Sequence, residues 1–304
     1  MWTIEIREEP NPFLARVIIA GDWGGNVEVA KRLLGDVYER WPKGKRVKFL
    51  ITCGGFVSFE WPQHLSYLAI GDNKNPNRQA VNVLIEEAEK NCQRLLSGDL
   101  HKKLAECTDY LTLGVDSFKE KVSLTTNYIS EPHVELVALI DLRTDSYYWT
   151  GKSYPISDQQ SGLVRISDLK THFLDDTRKV MILGCHDLKV FDPRHYKRKN
   201  MSNWRKIIIK EFHELAIGEQ PVLVLQHPHE TDCVEGINVR GKNSPGTWDR
   251  AWKHLRKIVK SVNNYASAGK YYNSDYPCQE RSKLVDVLAK TKNCHTIDFI
   301  VHIK

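Results

Sequence analysis

Residues 179–194, KVMILGCHDLKVFDPR, have the pattern of a buried strand that ends at a cysteine. Val180–Leu183 is an uninterrupted apolar run, which is typical of a strand that is covered on both faces. Gly184 follows it and allows the sharp turn that would present the thiol of Cys185 at the strand end. A cysteine in such a position is more often a structural core residue than a nucleophile, so other parts of the chain have to decide between the two.

Composition indicates a folded protein without a membrane segment. Of the 304 residues, 41% are hydrophobic and 27% are charged, and no apolar run approaches the roughly 18 residues that would cross a bilayer. The amino terminus, MWTIEIREEPNPF, carries acidic residues and lacks the apolar region of a secretory signal, which predicts a cytoplasmic location. The seven cysteines are odd in number and form no CxxC pair, so neither a disulfide framework nor a zinc ribbon is predicted.

Strand and helix patterns alternate through most of the chain, which predicts an α/β protein with largely parallel connections. After residue 118, short strands follow one another without a helix, so the sheet is predicted to be mixed. No repeat or convincing linker interrupts the chain, and a single domain over residues 1–304 is predicted. The predicted strands are residues 16–20, 47–52, 110–113, 133–142, 146–150, 163–167, 180–183, 221–226 and 296–303, and the predicted helices are residues 26–41, 77–96, 203–217 and 248–262.

A lysine lies one predicted hairpin before Cys185. A cysteine that cleaves an amide needs a base to form the thiolate and a cation to stabilise the tetrahedral intermediate. Lys152, in YYWTGKSYP, lies at the end of a predicted strand, and Cys185 lies at the end of another. We therefore expect both side chains at the same end of a sheet.

The order of these two segments, IDLRTDSYYWTGK and then FLDDTRKVMILGCHDLKVFDP, resembles the carbon–nitrogen hydrolase (nitrilase) superfamily. The segments PVLVLQHP and TWDRAWKHLRKIVKSVNNYASAG extend the resemblance over residues 14–273, although only the part around Lys152 and Cys185 is specific. The resemblance implies a nitrilase-like αββα sandwich with mixed sheets and a Glu-Lys-Cys triad. It also implies a small-molecule amide-like substrate, no cofactor or metal, and by analogy a homodimer.

The sequence departs from this family at the general base. The family's glutamate closes the second strand, where VKFLITCGG offers Cys53, Gly54 and Gly55. Glu60, in FVSFEWP, is the nearest carboxylate and is our candidate base. A second glutamate that many members carry between the lysine and the cysteine is also missing here, and the substitutes in that interval are Asp158, Asp168, Asp175 and Asp176.

The resulting hypothesis is a divergent C–N hydrolase, or a catalytically silent relative. Cys185 is the nucleophile, Glu60 the base, and Lys152 stabilises the oxyanion together with the backbone N–H of His186. Asp187 is expected to have a structural role behind the turn, bonded to an arginine or to backbone N–H groups.

A second interpretation is a calcineurin-like metallophosphoesterase. The segments GDWGG, ITCGGF, LTLGVDSF and VLVLQHPHETD resemble, in order, the strand-end motifs from which such enzymes hold two metal ions. Asp22, Asp116, His227 and His229 are the ligands that remain of that set. Most of the expected ligands are missing, which favours the hydrolase interpretation.

A third interpretation is a non-enzymatic α/β binding scaffold. The chain has a net charge of +6, and part of it is concentrated in RHYKRK at residues 194–199. Such a run is most often a solvated loop, but with the aromatic segments YYWTGKSY and KYYNSDY it could form a binding surface for nucleic acid or protein.

Overall fold

The computed structural model describes most of the chain, namely residues 1–65, 71–72, 75–76, 78–119, 132–155, 162–174, 179–196, 201–229, 235–237, 243–245, 247–271 and 284–304. Some residues that the sequence analysis singled out lie outside this part, namely Asp158, Asp175 and Asp176, residues 197–199 of the basic segment and residues 272–276 of the last aromatic segment.

Strands and helices alternate as predicted over much of the chain. The strands are β1 (Trp2–Glu8), β2 (Leu14–Ala20), β3 (Val47–Ile51), β4 (Val57–Ser58), β5 (Gly71–Asp72), β6 (Asn75–Pro76), β7 (Thr108–Phe118), β8 (His133–Asp141), β9 (Ser146–Gly151), β10 (Phe173–Leu174), β11 (Val180–Leu183), β12 (Leu223–Gln226), β13 (Glu235–Ile237), β14 (Asn243–Pro245), β15 (Asn264–Ser267), β16 (Lys270–Tyr271) and β17 (Thr296–Ile303). The helices are α1 (Val27–Glu39), α2 (Arg78–Leu95), α3 (Leu100–Cys107), α4 (Pro193–Tyr196), α5 (Asn203–Glu219), α6 (Thr247–Ile258) and α7 (Leu284–Leu288), and 3-10 turns span Leu169–His172 and Asp187–Phe191.

Two mixed sheets form the middle of the molecule. The larger has the order β1-β17-β2-β3-β7-β8-β9, with β16 beside β2 and β4 beside β7. Its central strands β17, β2, β3 and β7 are parallel, while β1, β8 and β9 are antiparallel to their neighbours. The smaller sheet has the order β10-β11-β12-β15, in which only β10 is antiparallel. The predicted mixture of parallel and antiparallel pairing is confirmed.

The hydrophobic clusters define four layers. Phe49 and Val137 of the larger sheet pack with Ile182 and Leu225 of the smaller sheet in a cluster between the two. The other face of the larger sheet packs on α1, α2 and α3, and the other face of the smaller sheet packs on α5 and α6. The inner strands alternate their side chains between two covered faces, which is why β2, β8, β11 and β12 are buried along their whole length. The αββα sandwich expected from the sequence is confirmed.

Local signals account for the helices around this core. Asn26 caps α1, since its side-chain oxygen accepts from the backbone N–H groups of Glu28 at 2.9 Å and Val29 at 3.2 Å. The buried residues of α6 include Trp248, Trp252 and Leu255, the apolar stripe that the sequence predicts. Among the described residues, no helix has the length and apolar character needed to span a membrane.

Several elements differ from the prediction, and α3 and α7, for example, were not predicted. Residues 163–167 contribute a single bridge, between Leu163 and His133, before Asp168 caps the first 3-10 turn. The edge strand β1 was not predicted, because it is largely exposed and its short alternation is weak.

Candidate active site

The smaller sheet brings a cysteine and a histidine to the same edge. β11 ends at Leu183 and its parallel partner β12 at Gln226, so the segments that follow both strands leave the sheet side by side. The Gln226 side-chain amide donates to the backbone carbonyl of Cys185 at 2.7 Å and so holds the turn that carries the thiol. The side chain of Cys185 is buried, with 4% of the residue exposed.

Gly184 is required by close packing at this turn. A Cβ atom there would lie 2.9 Å from the Cα atom of Lys152 and 3.0 Å from Oδ2 of Asp187. Asp187 accepts hydrogen bonds from the backbone N–H groups of Ser153 at 3.1 Å, Tyr154 at 2.8 Å and Gly184 at 3.0 Å. This carboxylate therefore ties the turn after β11 to the segment after β9, which is the structural role expected for it.

The larger sheet supplies three charged side chains from adjacent antiparallel strands. Asp116 on β7 lies opposite Glu135 on β8, and the backbone N–H of Lys152 donates to the Glu135 carbonyl at 2.8 Å. The three residues are therefore cross-strand neighbours on one face. That face is turned to the smaller sheet, because Val137, in phase with Glu135, belongs to the cluster between the sheets.

Lys152 and Glu135 form a buried ion pair. The ammonium nitrogen donates to Oε1 at 2.8 Å and to Oε2 at 2.9 Å, and both residues are buried. Burial by itself would raise the pKa of Glu135, but Lys152, with His229 and His133, lowers that pKa well below the usual range. Burial would likewise lower the pKa of Lys152, but Glu135 and Cys185 raise that pKa. The pair therefore stays charged at neutral pH.

His229 is oriented by Asp116. Its Nε2 atom lies 2.5 Å from Oδ2 of Asp116, and its Nδ1 atom lies 3.6 Å from Oε2 of Glu135. The His229 side chain is 27% exposed, so the site reaches solvent on this side. Burial opposes protonation of the ring, but Asp116 and Glu135, with the hydrogen bond to Cys185, raise the pKa of His229 well above its usual value.

These elements meet at the thiol. The sulfur of Cys185, a ring nitrogen of His229 and a carboxylate oxygen of Glu135 all lie within 4.8 Å of one another. In the part of the chain that the structure describes, this is the one group of three or more cysteine, histidine and carboxylate side chains so close together. Since Nε2 of His229 faces Asp116, Nδ1 is the nitrogen left for Cys185. The arrangement can move a proton from a thiol to an imidazole beside a fixed cation.

Two glycines explain why this site has room for His229 and Asp116. A Cβ atom on Gly55, whose φ is +60°, would lie 2.7 Å from Oδ2 of Asp116. A Cβ atom on Gly54 would lie 2.8 Å from the carbonyl oxygen of His227 and 3.2 Å from Cε1 of His229. The positions at which the family resemblance expects a glutamate are therefore in contact with the histidine and the aspartate.

The structure brings two of the three predicted catalytic residues together. Cys185 and Lys152 lie at the same site, whereas Glu60 is exposed, and among the contacts of the described residues none joins it to either of them. The glutamate bonded to Lys152 is Glu135, which the sequence analysis missed. A signal was present in HVELVALID, where Glu135 alternates with Val137 on the face that is predicted to be buried. A carboxylate on a buried face requires a partner.

The four residues considered as ligands of a two-metal site do not come together in the structure. Asp116 and His229 are bonded to each other, but Asp22 is exposed. His227 is buried and its Nδ1 atom lies 2.8 Å from the carbonyl oxygen of Thr52. Burial lowers the pKa of His227 to about 4, so this ring is neutral at physiological pH. Among the described residues, neither Asp22 nor His227 belongs to the group around the thiol.

Comparisons with known proteins give distant similarities. No family model matches the chain, and no curated protein matches its sequence. An amidase from Nesterenkonia sp. is similar in structure, with 12% identity, a TM-score of 0.44, and coverage of 86% of this chain and 78% of that chain. A carbon-nitrogen hydrolase from Helicobacter pylori G27 has 11% identity and a TM-score of 0.45 over 95% of this chain and 89% of that chain. An N-terminal amidase has 10% identity and a TM-score of 0.36 over 74% of this chain and 49% of that chain.

Proposed function

We propose that this chain is a hydrolase that cleaves a carbon–nitrogen bond of an amide-like small molecule, with Cys185 as the nucleophile. The observation that carries the proposal is the meeting of the Cys185 sulfur, the His229 ring and the Glu135 carboxylate within 4.8 Å. A thiol, an oriented imidazole and a buried cation are the parts that cysteine-based acyl transfer requires. The partial exposure of His229 leaves an approach for a small substrate beside the sulfur.

Before the reaction, His229 already holds on Nδ1 the proton of the Cys185 thiol, because Asp116 and Glu135 raise the pKa of the ring, so Cys185 is the thiolate of a thiolate–imidazolium pair. In the first half of the reaction, the thiolate attacks the carbonyl carbon of the substrate, and the carbonyl electron pair moves onto its oxygen. When this pair returns, the C–N bond breaks, and the leaving nitrogen takes the proton from His229 and departs as ammonia or an amine. The product left on the enzyme is a thioester of Cys185.

In the second half, water replaces the leaving nitrogen. His229 accepts a proton from the water as its oxygen attacks the thioester carbon. Collapse of that intermediate expels the thiolate of Cys185 as the C–S bond breaks, and the proton stays on His229, which restores the thiolate–imidazolium pair. The carboxylic acid leaves and the enzyme is restored.

Lys152 stabilises the negative charge that develops during both halves. Its ammonium is in electrostatic contact with Cys185 and is held by both oxygens of Glu135. A cation held by a buried partner needs no reorganisation when the oxyanion forms. The backbone N–H of His186 is the proposed second donor to that oxyanion.

The base is tested by comparing three variants for ammonia release from a panel of short aliphatic amides. Cys185→Ala is expected to abolish turnover, and His229→Gln to lower kcat/KM by about 10²–10⁴-fold, because the proton acceptor is removed. Glu60→Gln is the control and should stay within about twofold of the parent, because that carboxylate is exposed. A large loss in Glu60→Gln with little change in His229→Gln would instead establish Glu60 as the base.

Alkylation by iodoacetamide tests the nucleophile without a substrate. Cys294 is the matched thiol, since it is more exposed than Cys185 and burial raises its pKa to about 11. Faster labelling of Cys185 would therefore reflect activation and not access. Labelling of Cys185 no faster than Cys294 would contradict the hydrolase proposal and favour the binding scaffold.

A further inference from the structure

The group around the thiol combines three donor types that zinc takes in proteins. Cys185 offers sulfur, His229 a ring nitrogen and Glu135 a carboxylate oxygen, all within 4.8 Å of one another. Sites with three protein ligands from this set leave a fourth position for solvent. Cys185 and Glu135 are buried, and His229 is the member of the three with substantial exposure.

The contacts of His229 favour a metal ligand. Nε2 is bonded to Asp116, which holds the ring and directs Nδ1 toward Glu135 and the sulfur. A carboxylate on the far nitrogen is the usual support of a metal-binding histidine. Lys152 holds the Glu135 carboxylate in place, because its ammonium donates to both oxygens.

Distances and charge are compatible with a zinc ion. Bonds of about 2.0–2.3 Å place tetrahedral donors about 3.5 Å apart, so donors that lie within 4.8 Å of one another need to approach by no more than about 1.3 Å to bind the ion. With the thiolate of Cys185, the carboxylates of Glu135 and Asp116 make three negative charges. Lys152 and one Zn²⁺ make three positive charges, so the occupied site is neutral.

We propose that Zn²⁺ binds reversibly to Cys185, His229 and Glu135 and thereby blocks the sulfur nucleophile. On binding, the proton that Cys185 and His229 share goes to solvent, bonds form from zinc to the sulfur, to Nδ1 and to a carboxylate oxygen of Glu135, and no oxidation state changes. The binding itself does not depend on the proposed function, but the inhibition that follows from it rests on that function.

The test is a titration of the chelator-stripped full chain with Zn²⁺ against a chromophoric zinc indicator. One zinc ion per chain is expected, with affinity at least about 100-fold weaker in Cys185→Ser and in His229→Gln, because each loses a ligand. Cys294→Ser is the control thiol and should bind as the parent does. No binding by the parent, or equal binding by Cys185→Ser and His229→Gln, would overturn the zinc site.

Two further readouts separate this inference from the hydrolase proposal. Co²⁺ in place of Zn²⁺ should give a sulfur-to-metal charge-transfer band that is absent in Cys185→Ser, and Zn²⁺ should protect Cys185 from iodoacetamide. If no metal binds but Cys185 is labelled faster than Cys294, only the zinc inference fails. If the metal binds but the metal-free protein shows no activated Cys185, only the hydrolase proposal fails.

Discussion

Gly55 is the residue whose missing side chain makes room for the proposed base. Its φ of +60° suits glycine, and its Cα atom lies beside the carboxylate of Asp116. Any side chain there would push on the aspartate that orients His229. A side chain at position 55 is therefore incompatible with this placement of the aspartate that is bonded to the histidine.

Gly55→Ala is expected to destabilise the protein by about 1–3 kcal/mol, from backbone strain and from the contact with Asp116. It should also lower the rate of Cys185 alkylation, because His229 loses its orientation. Gly35→Ala in α1 is the matched control: an added Cβ meets nothing within 4 Å, and the change should stabilise the helix by about 0.5–1 kcal/mol. Urea unfolding measures the stability of both variants, and alkylation measures the reactivity of Cys185 in them. A Gly55→Ala variant with the stability and alkylation rate of the parent would contradict the role of this glycine.

At the scale of elements, the Asp187 side chain fixes the turn after β11, because it adds hydrogen bonds to those that the backbone of the turn makes itself. Three N–H groups, from two segments, share this buried carboxylate. Burial raises the pKa of Asp187, while His172, the N–H donors and Lys152 oppose the rise. The position of Cys185 relative to Lys152 therefore depends on one side chain.

Asp187→Ala is expected to lower the free energy of unfolding by about 3 kcal/mol or more, because it leaves three buried N–H groups without an acceptor. Asp187→Asn keeps one oxygen for two of them and should cost less. Asp168→Ala, which removes the exposed cap of the other 3-10 turn, is the control and should cost about 0.5–2 kcal/mol. Equal unfolding free energies for Asp187→Ala and Asp168→Ala in urea would refute this account.

At the scale of the whole molecule, a buried histidine bridges the two sheets. The His172 ring lies 2.9 Å from Oγ of Ser153, after β9, and 2.6 Å from the carbonyl oxygen of Ile182 on β11. Burial lowers the pKa of His172, although Asp187 and the bond to Ile182 oppose the shift. The sandwich thus contains a group that prefers to stay neutral.

The unfolded chain therefore takes up a proton on His172 at higher pH than the folded protein does. Stability should fall as pH drops below about 6.5, by about 1.4 kcal/mol per pH unit for this group until the folded protein also protonates. His172→Gln should reduce the pH slope of the unfolding free energy by about one proton between pH 6.5 and the folded pKa. The exposed His64→Gln is the control, and an unchanged slope in His172→Gln would rule out this contribution.

Much of the fold could be predicted because its signals are local. β11 and β17 have the predicted bounds, and the helices around the core follow apolar spacing and caps. The site could be predicted only in part. Glu135 escaped notice because its importance depends on the register of β8 against β9, and Glu60 was considered because it is near the strand in sequence.

The sequence by itself determined an α/β chain with a cysteine at the end of β11 and a lysine at the end of β9, because apolar runs and turns are properties of neighbouring residues. Only the tertiary structure decided the partners of that cysteine. Asp116 and Glu135 meet through cross-strand register, and His229 reaches them because β12 lies beside β11. These contacts join residues far apart in the chain, and the packing of one sheet on the other creates them.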